Sequence, residues 1–195
     1  IKTALQTAGL VARQRKRRRH RKQRPRRPLP GMMLHVDGSR HAWLGLGRGQ
    51  QDLIVIFDDA HSEAYYAQLV PEESTLTVMA GLKTVVQQQG VFCSLYVDRG
   101  SHFVATPVAG GPVDREPKTQ IGRALEQLGI ELIAAYSPQA RGRCERLFGT
   151  WQGRLVAELR SRQITTLEAA NRFLASRWLS LHNHNIYHND VKPAN

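Results

Sequence analysis

The sequence contains few cysteines and no long apolar runs. Cys93 and Cys144 are the only two cysteines among 195 residues, too far apart for a zinc-knuckle pair and too few for a disulfide framework. A reducing cytoplasm is therefore the predicted compartment. No apolar run approaches the length of a membrane span and no segment resembles a signal peptide, so no membrane contact is expected. The first residue is Ile rather than Met, which predicts that the chain is a fragment.

Acidic residues are absent from the first thirty positions, which hold 12 of the 28 Lys and Arg residues. Residues 31 to 195 therefore carry 28 − 12 = 16 basic against 16 acidic residues, and the formal charge of +12 lies entirely in the leading segment. Such a run repels itself and suits the phosphate backbone of DNA; a solvated tail or a localisation signal is the alternative. The predicted DNA contacts in this segment are Arg15, Lys16, Arg17, Arg18, Arg19, Arg21, Lys22, Arg24, Arg26 and Arg27.

Hydrophobic spacing and turn residues predict a mixed α/β sheet of five strands covered by helices on both faces. The predicted strands are 32–38, 52–59, 64–70, 91–97 and 130–135. The predicted helices are 72–89, 119–129, 140–161 and 166–183, after a short opening helix over residues 1–10, and residues 104–118 form a loop or insertion.

Three acidic residues stand in contexts that favour metal binding. Asp37 and Asp98 each close an apolar run typical of a strand, and Glu145 lies one turn into a predicted helix. In-line cleavage or joining of a phosphodiester uses divalent ions roughly 3.5–4 Å apart, and magnesium prefers hard oxygen ligands such as carboxylates. The three acids together therefore predict a magnesium site for phosphodiester chemistry.

The helix predicted at 140–161 has an apolar stripe through Phe148, Trp151, Leu155 and Leu159, and Glu145 falls at the edge of that stripe. Its carboxylate could thus reach a cleft while the helix packs on the sheet. Arg143, Arg146 and Arg154 project from another face, and the first two are predicted DNA contacts.

Each acid alone is more often a turn or cap residue than a ligand. Asp58 and Asp59 are rival ligands because they also end a strand, although the following Ala-His-Ser favours turn chemistry. His182, His184 and His188 are expected at an exposed helix end rather than on a metal. Cys144 is expected to pack in the core because no activating base is identifiable.

At these residues the chain resembles bacterial insertion-sequence transposases with a retroviral-integrase-type catalytic core, most closely the ISNCY group. Five blocks carry the resemblance and occur in the same order over about residues 31 to 180. They are His35-Val36-Asp37-Gly38-Ser39, Ile56-Phe57-Asp58-Asp59-Ala60, the segment from Tyr96 to Phe103, the segment from Thr119 to Leu125, and the segment from Ser137 to Arg146.

The resemblance implies an RNase H-like fold with Asp37, Asp98 and Glu145 as catalytic, metal-binding acids. It implies two Mg²⁺ ions, with Mn²⁺ able to substitute. Residues 1–30 then correspond to the end of an upstream helix and a basic linker, residues 31–183 to the integrase-type core, and residues 184–195 to a truncated C-terminal extension.

The implied function is DNA cleavage and strand transfer by a DDE transposase, acting on transposon ends and target DNA. The partners are DNA and further copies of the same protein assembled on it, at the bacterial nucleoid in the cytoplasm. Two alternatives remain: a nuclease of the RNase H-like fold that cuts without joining, and a decayed core that only binds nucleic acid.

Removal of residues 1 to 30 should abolish most nonspecific DNA affinity and flatten its salt dependence. Each neutralised phosphate contributes roughly −0.9 to the slope of log affinity against log salt, and this segment holds all the excess positive charge. Fluorescence anisotropy with a random duplex at several salt concentrations measures both quantities. Equal slopes with and without the segment would assign DNA binding to the remainder of the chain.

Overall fold

Five strands form one mixed sheet in the order β3-β2-β1-β4-β5. The computed structural model describes residues 25–45, 47–104, 118–135 and 142–184. Strands β1 and β2 pair antiparallel, as do β2 and β3, whereas β4 pairs parallel with both β1 and β5. The strands are β1 Leu34–His41, β2 Gln51–Asp58, β3 Ala64–Val70, β4 Ser94–Val97 and β5 Glu131–Ala134.

Strand β2 is buried along its whole length because helices cover both faces of the sheet. Its alternate residues Leu53, Val55 and Phe57 enter one hydrophobic cluster, and Ile54 and Ile56 enter the other. A strand buried on both faces is expected to be a continuous apolar run rather than an alternating one. The run from Leu53 to Phe57 is therefore an interior strand, between β3 and β1.

The helices are α1 Thr75–Gln89, α2 Gln120–Gln127, α3 Gly142–Ser161, α4 Leu167–Phe173 and α5 Leu179–Asn183. Helix α1 begins at Thr75, later than predicted, because Ser74 and Thr77 form a capping box that satisfies the first backbone donors. It ends before Gly90, whose φ of 87° favours glycine, as the sequence indicates.

Two helical layers enclose the sheet. Helices α1 and α2 pack on one face against Leu34, Val36 and the even-numbered residues of β2. Helices α3 and α4 pack on the other face, where the apolar stripe of α3 is buried as predicted. The mixed five-stranded sheet with flanking helices is thus confirmed.

Strand β1 differs from its prediction in one respect that matters for the site. It continues past the predicted end at residue 38 to His41, because backbone pairing with β2 extends to the pair His41 and Gln51. Asp37 is consequently the fourth of eight strand residues and not a strand-end residue. Strand β4, in contrast, ends at Val97, and Asp98 follows it directly as predicted.

The helix predicted at 166–183 is interrupted by a π-helical segment at Leu174–Trp178, between α4 and α5. Trp178 of this segment meets Trp151 of α3 edge to face, with 5.6 Å between the ring centroids. The π-helical segment therefore supplies part of the packing that holds α3. The basic run up to residue 24, most of the 104–118 loop, residues 136–141 and residues 185–195 lie outside the described residues.

Within the described part of the chain, no helix is both long enough and apolar enough to cross a membrane.

Replacement of Trp151 by alanine should destabilise the fold by about 3–5 kcal/mol, because a fully buried aromatic side chain leaves a cavity. Urea denaturation followed by circular dichroism gives the free energy of unfolding. Arg160→Ala, on the exposed side of the same helix, is the matched control. A loss as small as that of the control would show that α3 is not anchored through this stripe.

Candidate active site

Asp37 lies on the face of the sheet that α3 covers. Side chains alternate along a strand, and the neighbours of Asp37 on its own face are His35 and Ser39. The rings of His35 and Phe57 stack with 4.8 Å between their centroids, and Phe57 belongs to the hydrophobic cluster that includes the buried residues of α3. Ser39 Oγ lies 3.1 Å from Nε2 of Gln152 on α3. The Asp37 side chain, only 8% exposed, therefore points into the layer between β1 and α3.

Asp98 follows β4 on the same face. Leu95 and Val97 belong to the opposite cluster, so Tyr96 and Asp98 alternate onto the side of His35. The half-buried Asp98 carboxylate is fixed by a turn, in which its Oδ1 accepts a 2.8 Å hydrogen bond from the backbone N–H of Gly100.

The parallel pairing of β1 with β4 relates the two aspartates. Leu34 pairs with Leu95 and His35 with Tyr96. Asp37 lies two residues beyond His35 in β1, and Asp98, directly after the end of β4, lies two residues beyond Tyr96; neighbouring strands lie about 4.8 Å apart. The two aspartates therefore lie on the same face of the sheet, one in β1 and one just past the end of β4.

Glu145 lies in the first turn of α3, exposed to solvent, as the sequence predicts. Seven residues are almost two full helical turns, so Glu145 shares a stripe with Gln152, which reaches Ser39 of β1. This flank of α3 faces β1 and, beyond it, β4. The carboxylate of Glu145 is therefore on the side of the helix that carries it towards Asp37 and Asp98.

No three His, Cys, Asp or Glu side chains among the described residues lie close enough together to hold one metal ion as they stand. Asp37, Asp98 and Glu145 accordingly lie on neighbouring parts of the fold, but their carboxylates are not close enough together to bind one ion. Their donor atoms are carboxylate oxygens, which suit magnesium. Convergence of all three on shared ions stays a prediction.

Asp58 has the turn role that the sequence favours over metal binding. Its Oδ1 accepts from the backbone N–H of Ala60 at 2.7 Å and of His61 at 3.3 Å, and its Oδ2 accepts from Gly31 at 2.8 Å. The residue is fully buried at the end of β2. Both oxygens are therefore engaged by the backbone.

Asp59 is the centre of a network that sequence reasoning missed. Its Oδ1 lies 2.7 Å from Nε2 of His35 and accepts from the guanidinium of Arg143, and its Oδ2 accepts from the backbone N–H of Arg27 at 2.7 Å. Arg26 donates to the Asp59 carbonyl oxygen at 2.7 Å. No local sequence signal indicates these contacts, because the partners lie 24 to 84 residues away.

Glu73, an acid that the sequence analysis did not identify, lies on the face of the sheet opposite to Asp37. A Cβ at Gly38 would overlap its carboxylate, and its Oε1 is 3.9 Å from Nε2 of His102. Glu73 therefore lies against the residue that follows Asp37. The signal was present, since a glycine inside a strand often marks the close approach of another group.

The other flank of α3 borders a cleft of 840 Å³ with several cationic side chains. Its lining includes Arg26, Arg143, Arg146 and His184, with Glu63 as an opposing charge. Arg146 is exposed, as a DNA contact would require. Arg143 differs from expectation, because its side chain is only 14% exposed and is directed inward to Asp59.

Two further expectations concern His182 and Cys144. His182 is buried and accepts a 3.2 Å hydrogen bond at Nδ1 from the indole of Trp151, so the prediction of an exposed position is wrong for this residue. His184 is exposed as predicted. Cys144 is buried in the core, which confirms its predicted packing role.

Burial, together with the carboxylates of Asp58 and Glu63, raises the pKa of Tyr65 to about 12. Its hydroxyl consequently stays protonated near neutral pH. A protonated phenol is a weak nucleophile.

The sheet order and the helices on both faces define an RNase H-like fold, the fold of integrase catalytic cores. A chain of the simian T-cell lymphotropic virus intasome, solved with the PP2A regulatory subunit B56 gamma, matches with a TM-score of 0.64 at 16% identity, over 92% of this chain and 56% of that one. The catalytic core domain of HTLV-2 integrase, in complex with magnesium, matches with a TM-score of 0.55 at 13% identity, over 76% of this chain and 88% of that one. At these identities the likeness establishes the fold.

In sequence, the chain is similar to bacterial transposases. It is 36% identical over 168 residues to "Putative transposase y4bF" of Sinorhizobium fredii, and 34% identical over 153 residues to the transposase for insertion sequence IS1202 of Streptococcus pneumoniae. These alignments cover 86% and 78% of the chain but only 36% and 32% of the two relatives, so the chain spans about a third of their length. No protein-family profile matches the chain. The expected resemblance to transposases is confirmed, whereas the narrower ISNCY assignment stays a prediction.

Replacement of Asp58 by alanine should destabilise the fold, because it leaves partly buried backbone donors without their acceptor, at up to about 1–3 kcal/mol for each group that water does not reach. Thermal and urea denaturation measure the loss. Asp58→Asn keeps an acceptor oxygen and should lose less. A fully stable Asp58→Ala variant with impaired magnesium binding would instead mark Asp58 as a metal ligand.

Proposed function

We propose that the chain is the catalytic core of a DDE transposase that cleaves DNA strands and joins them to target DNA. The observation that carries this proposal is the placement of Asp37 in β1 and of Asp98 directly after the parallel neighbour β4, on the sheet face covered by the helix that bears Glu145. The similarity in sequence to transposases and in fold to integrase cores supports it.

Asp37, Asp98 and Glu145 would hold the divalent ions, and their hard oxygen donors fit magnesium. When bound, a pair of such ions supplies activation of an attacking oxygen and charge stabilisation of the leaving oxygen. Asp37 is buried in β1 and Asp98 is held by its turn, so these two ligands are preorganised by the sheet. Glu145, on α3, would be the third ligand of the set.

The proposed reaction has two phosphoryl transfers at one site. In the first, water attacks the phosphorus at the element end and releases a 3′-hydroxyl; in the second, that hydroxyl attacks a phosphodiester of the target. Both steps displace an alkoxide oxygen from phosphorus in line, so the same carboxylates can serve both without a nucleophile from the protein.

DNA is proposed to contact the basic segment and the exposed flank of α3. The segment up to residue 24 carries most of the excess charge, and Arg26 and Arg146 border the 840 Å³ cleft on the flank of α3 opposite to Glu145. Contacts of this kind address phosphates and position the duplex without reading its sequence. Assembly of several copies on the DNA is part of the proposal, and the intasome relative provides its structural precedent.

Replacement of Asp98 by asparagine in the full-length parent should eliminate both cleavage and joining while DNA affinity is kept or slightly increased. Asparagine preserves the shape of the side chain but removes the charge that holds a divalent ion and that repels phosphate. Gel assays of magnesium-dependent cleavage and strand transfer, paired with anisotropy binding curves, test both effects. Glu131→Gln, on the exposed start of β5, is the matched control.

Each assay result discriminates between the candidate functions. Magnesium-dependent cleavage at the parental rate by the Asp98→Asn protein would refute the catalytic assignment. Cleavage without joining by the unmodified parent would identify a nuclease. A parent that binds DNA without cutting it would identify a decayed core.

A further inference from the structure

We propose that Asp59 and Arg143 form a positioning pair that holds the first turn of α3, and with it Glu145, in place against the sheet. This inference rests on the proposed role of Glu145 as the third metal ligand. The contact between Asp59 and Arg143 is separate from the three proposed catalytic acids. It lies on the flank of α3 opposite to Glu145.

Asp59 and Arg143 form an ion pair that is largely shielded from solvent. Asp59 has no exposed side-chain surface and Arg143 has 14%. A buried carboxylate is costly unless it is paired and hydrogen-bonded, and the guanidinium of Arg143 supplies both the charge and the donor. The contact joins residues 84 positions apart, so it ties α3 to the end of β2.

Asp59 is itself a fixed point. Its backbone N–H donates to the carbonyl oxygen of Met33 at 3.0 Å, its Oδ2 accepts from Arg27, and its Oδ1 meets His35 of β1. With its backbone held by Met33 and its carboxylate by Arg27 and His35, Asp59 is fixed independently of α3. Arg143 is therefore anchored to the start of β1, the strand that carries Asp37.

Because Arg143 and Glu145 belong to the same helical turn, fixing Arg143 also fixes the position of Glu145. Residues 143 and 145 are about 200° apart around the axis, so they lie on opposite flanks of the buried stripe. A rotation of α3 that separates Arg143 from Asp59 would also move Glu145 relative to β1 and β4. Gln152 and Ser39 form a second contact between α3 and β1 nine residues further along, and Arg143 holds the first turn.

The distance between the two contacts, Arg143 with Asp59 and Gln152 with Ser39, agrees with a helix that runs along β1. From Arg143 to Gln152 the helix rises about 13 Å, and from His35 to Ser39 the strand rises about 13 Å. Helix α3 is thus pinned along β1 at both ends of the segment that faces Asp37. The pair fixes the end at which Glu145 lies.

The test measures the magnesium requirement of DNA cleavage in the full-length parent. Arg143→Met should raise the magnesium concentration for half-maximal cleavage by about 10–100-fold, the usual effect of removing a group that orients a metal ligand. Arg143→Lys keeps the charge but loses the planar guanidinium. Its magnesium concentration for half-maximal cleavage should therefore lie between that of Arg143→Met and that of the parent. Arg160→Ala, exposed in the last turn of α3, should leave the magnesium requirement unchanged.

A double variant separates positioning from stability. Loss of one member of a buried ion pair strands the other charge, whereas replacement of both partners is often nearly neutral for stability. Asp59→Asn combined with Arg143→Met should therefore regain much of the stability lost by the single variants while its magnesium requirement stays high. A double variant that regains both stability and the parental magnesium requirement would overturn the proposal.

Glu145→Gln, assayed beside these variants, distinguishes the two levels of inference. If Glu145→Gln still cleaves DNA, the proposed catalytic triad fails and the positioning role fails with it. If Glu145→Gln is inactive while a folded Arg143→Met protein has the parental magnesium requirement, the triad stands and the positioning pair alone is wrong. Loss of activity in Glu145→Gln together with the raised requirement in Arg143→Met supports both.

Discussion

The parallel pairing of β1 with β4 is the constraint on which the candidate site depends. β1 is antiparallel to β2 on one side and parallel to β4 on the other, so residues far apart in sequence meet at the same level of the sheet. The register brings Asp37, in β1, and Asp98, directly after β4, onto one face of the sheet. Strand β1 has one apolar face, with Leu34 and Val36 in a buried cluster, so a slip of one residue would move these side chains to the opposite layer and is costly.

Helix α3 packs into the hydrophobic core with one side and faces the candidate site with another. Its buried stripe, anchored by Trp151 against Trp178, fixes the helix on the sheet. One flank then presents Glu145 towards β1 and β4, and the opposite flank presents Arg143 to Asp59. A single amphipathic helix can therefore be both a packing element and the carrier of the proposed ligand Glu145, because contacts on both of its flanks set its rotation.

Charge is separated along the chain in a way that fits the proposed reaction. The excess positive charge lies in the first thirty residues, whereas the rest of the chain is formally neutral. Arg26 and Arg27, at the end of the basic run, contact Asp59, the same residue that holds α3. The described end of the basic segment thus joins the core at the cleft that Arg26 and Arg146 border, on the flank of α3 opposite to Glu145.

The sequence by itself determined the five strands, the amphipathic helices and the three acids of the candidate site, because hydrophobic period, turn residues and short motifs are local properties. It placed Asp37 at a strand end, whereas pairing with β2 extends the strand to His41. It also placed Arg143 towards DNA and His182 in solvent, and both turn inward. Only the tertiary structure decided these points, together with the contact of Glu73 on Gly38, because each depends on a partner brought near by the fold from a distant part of the chain.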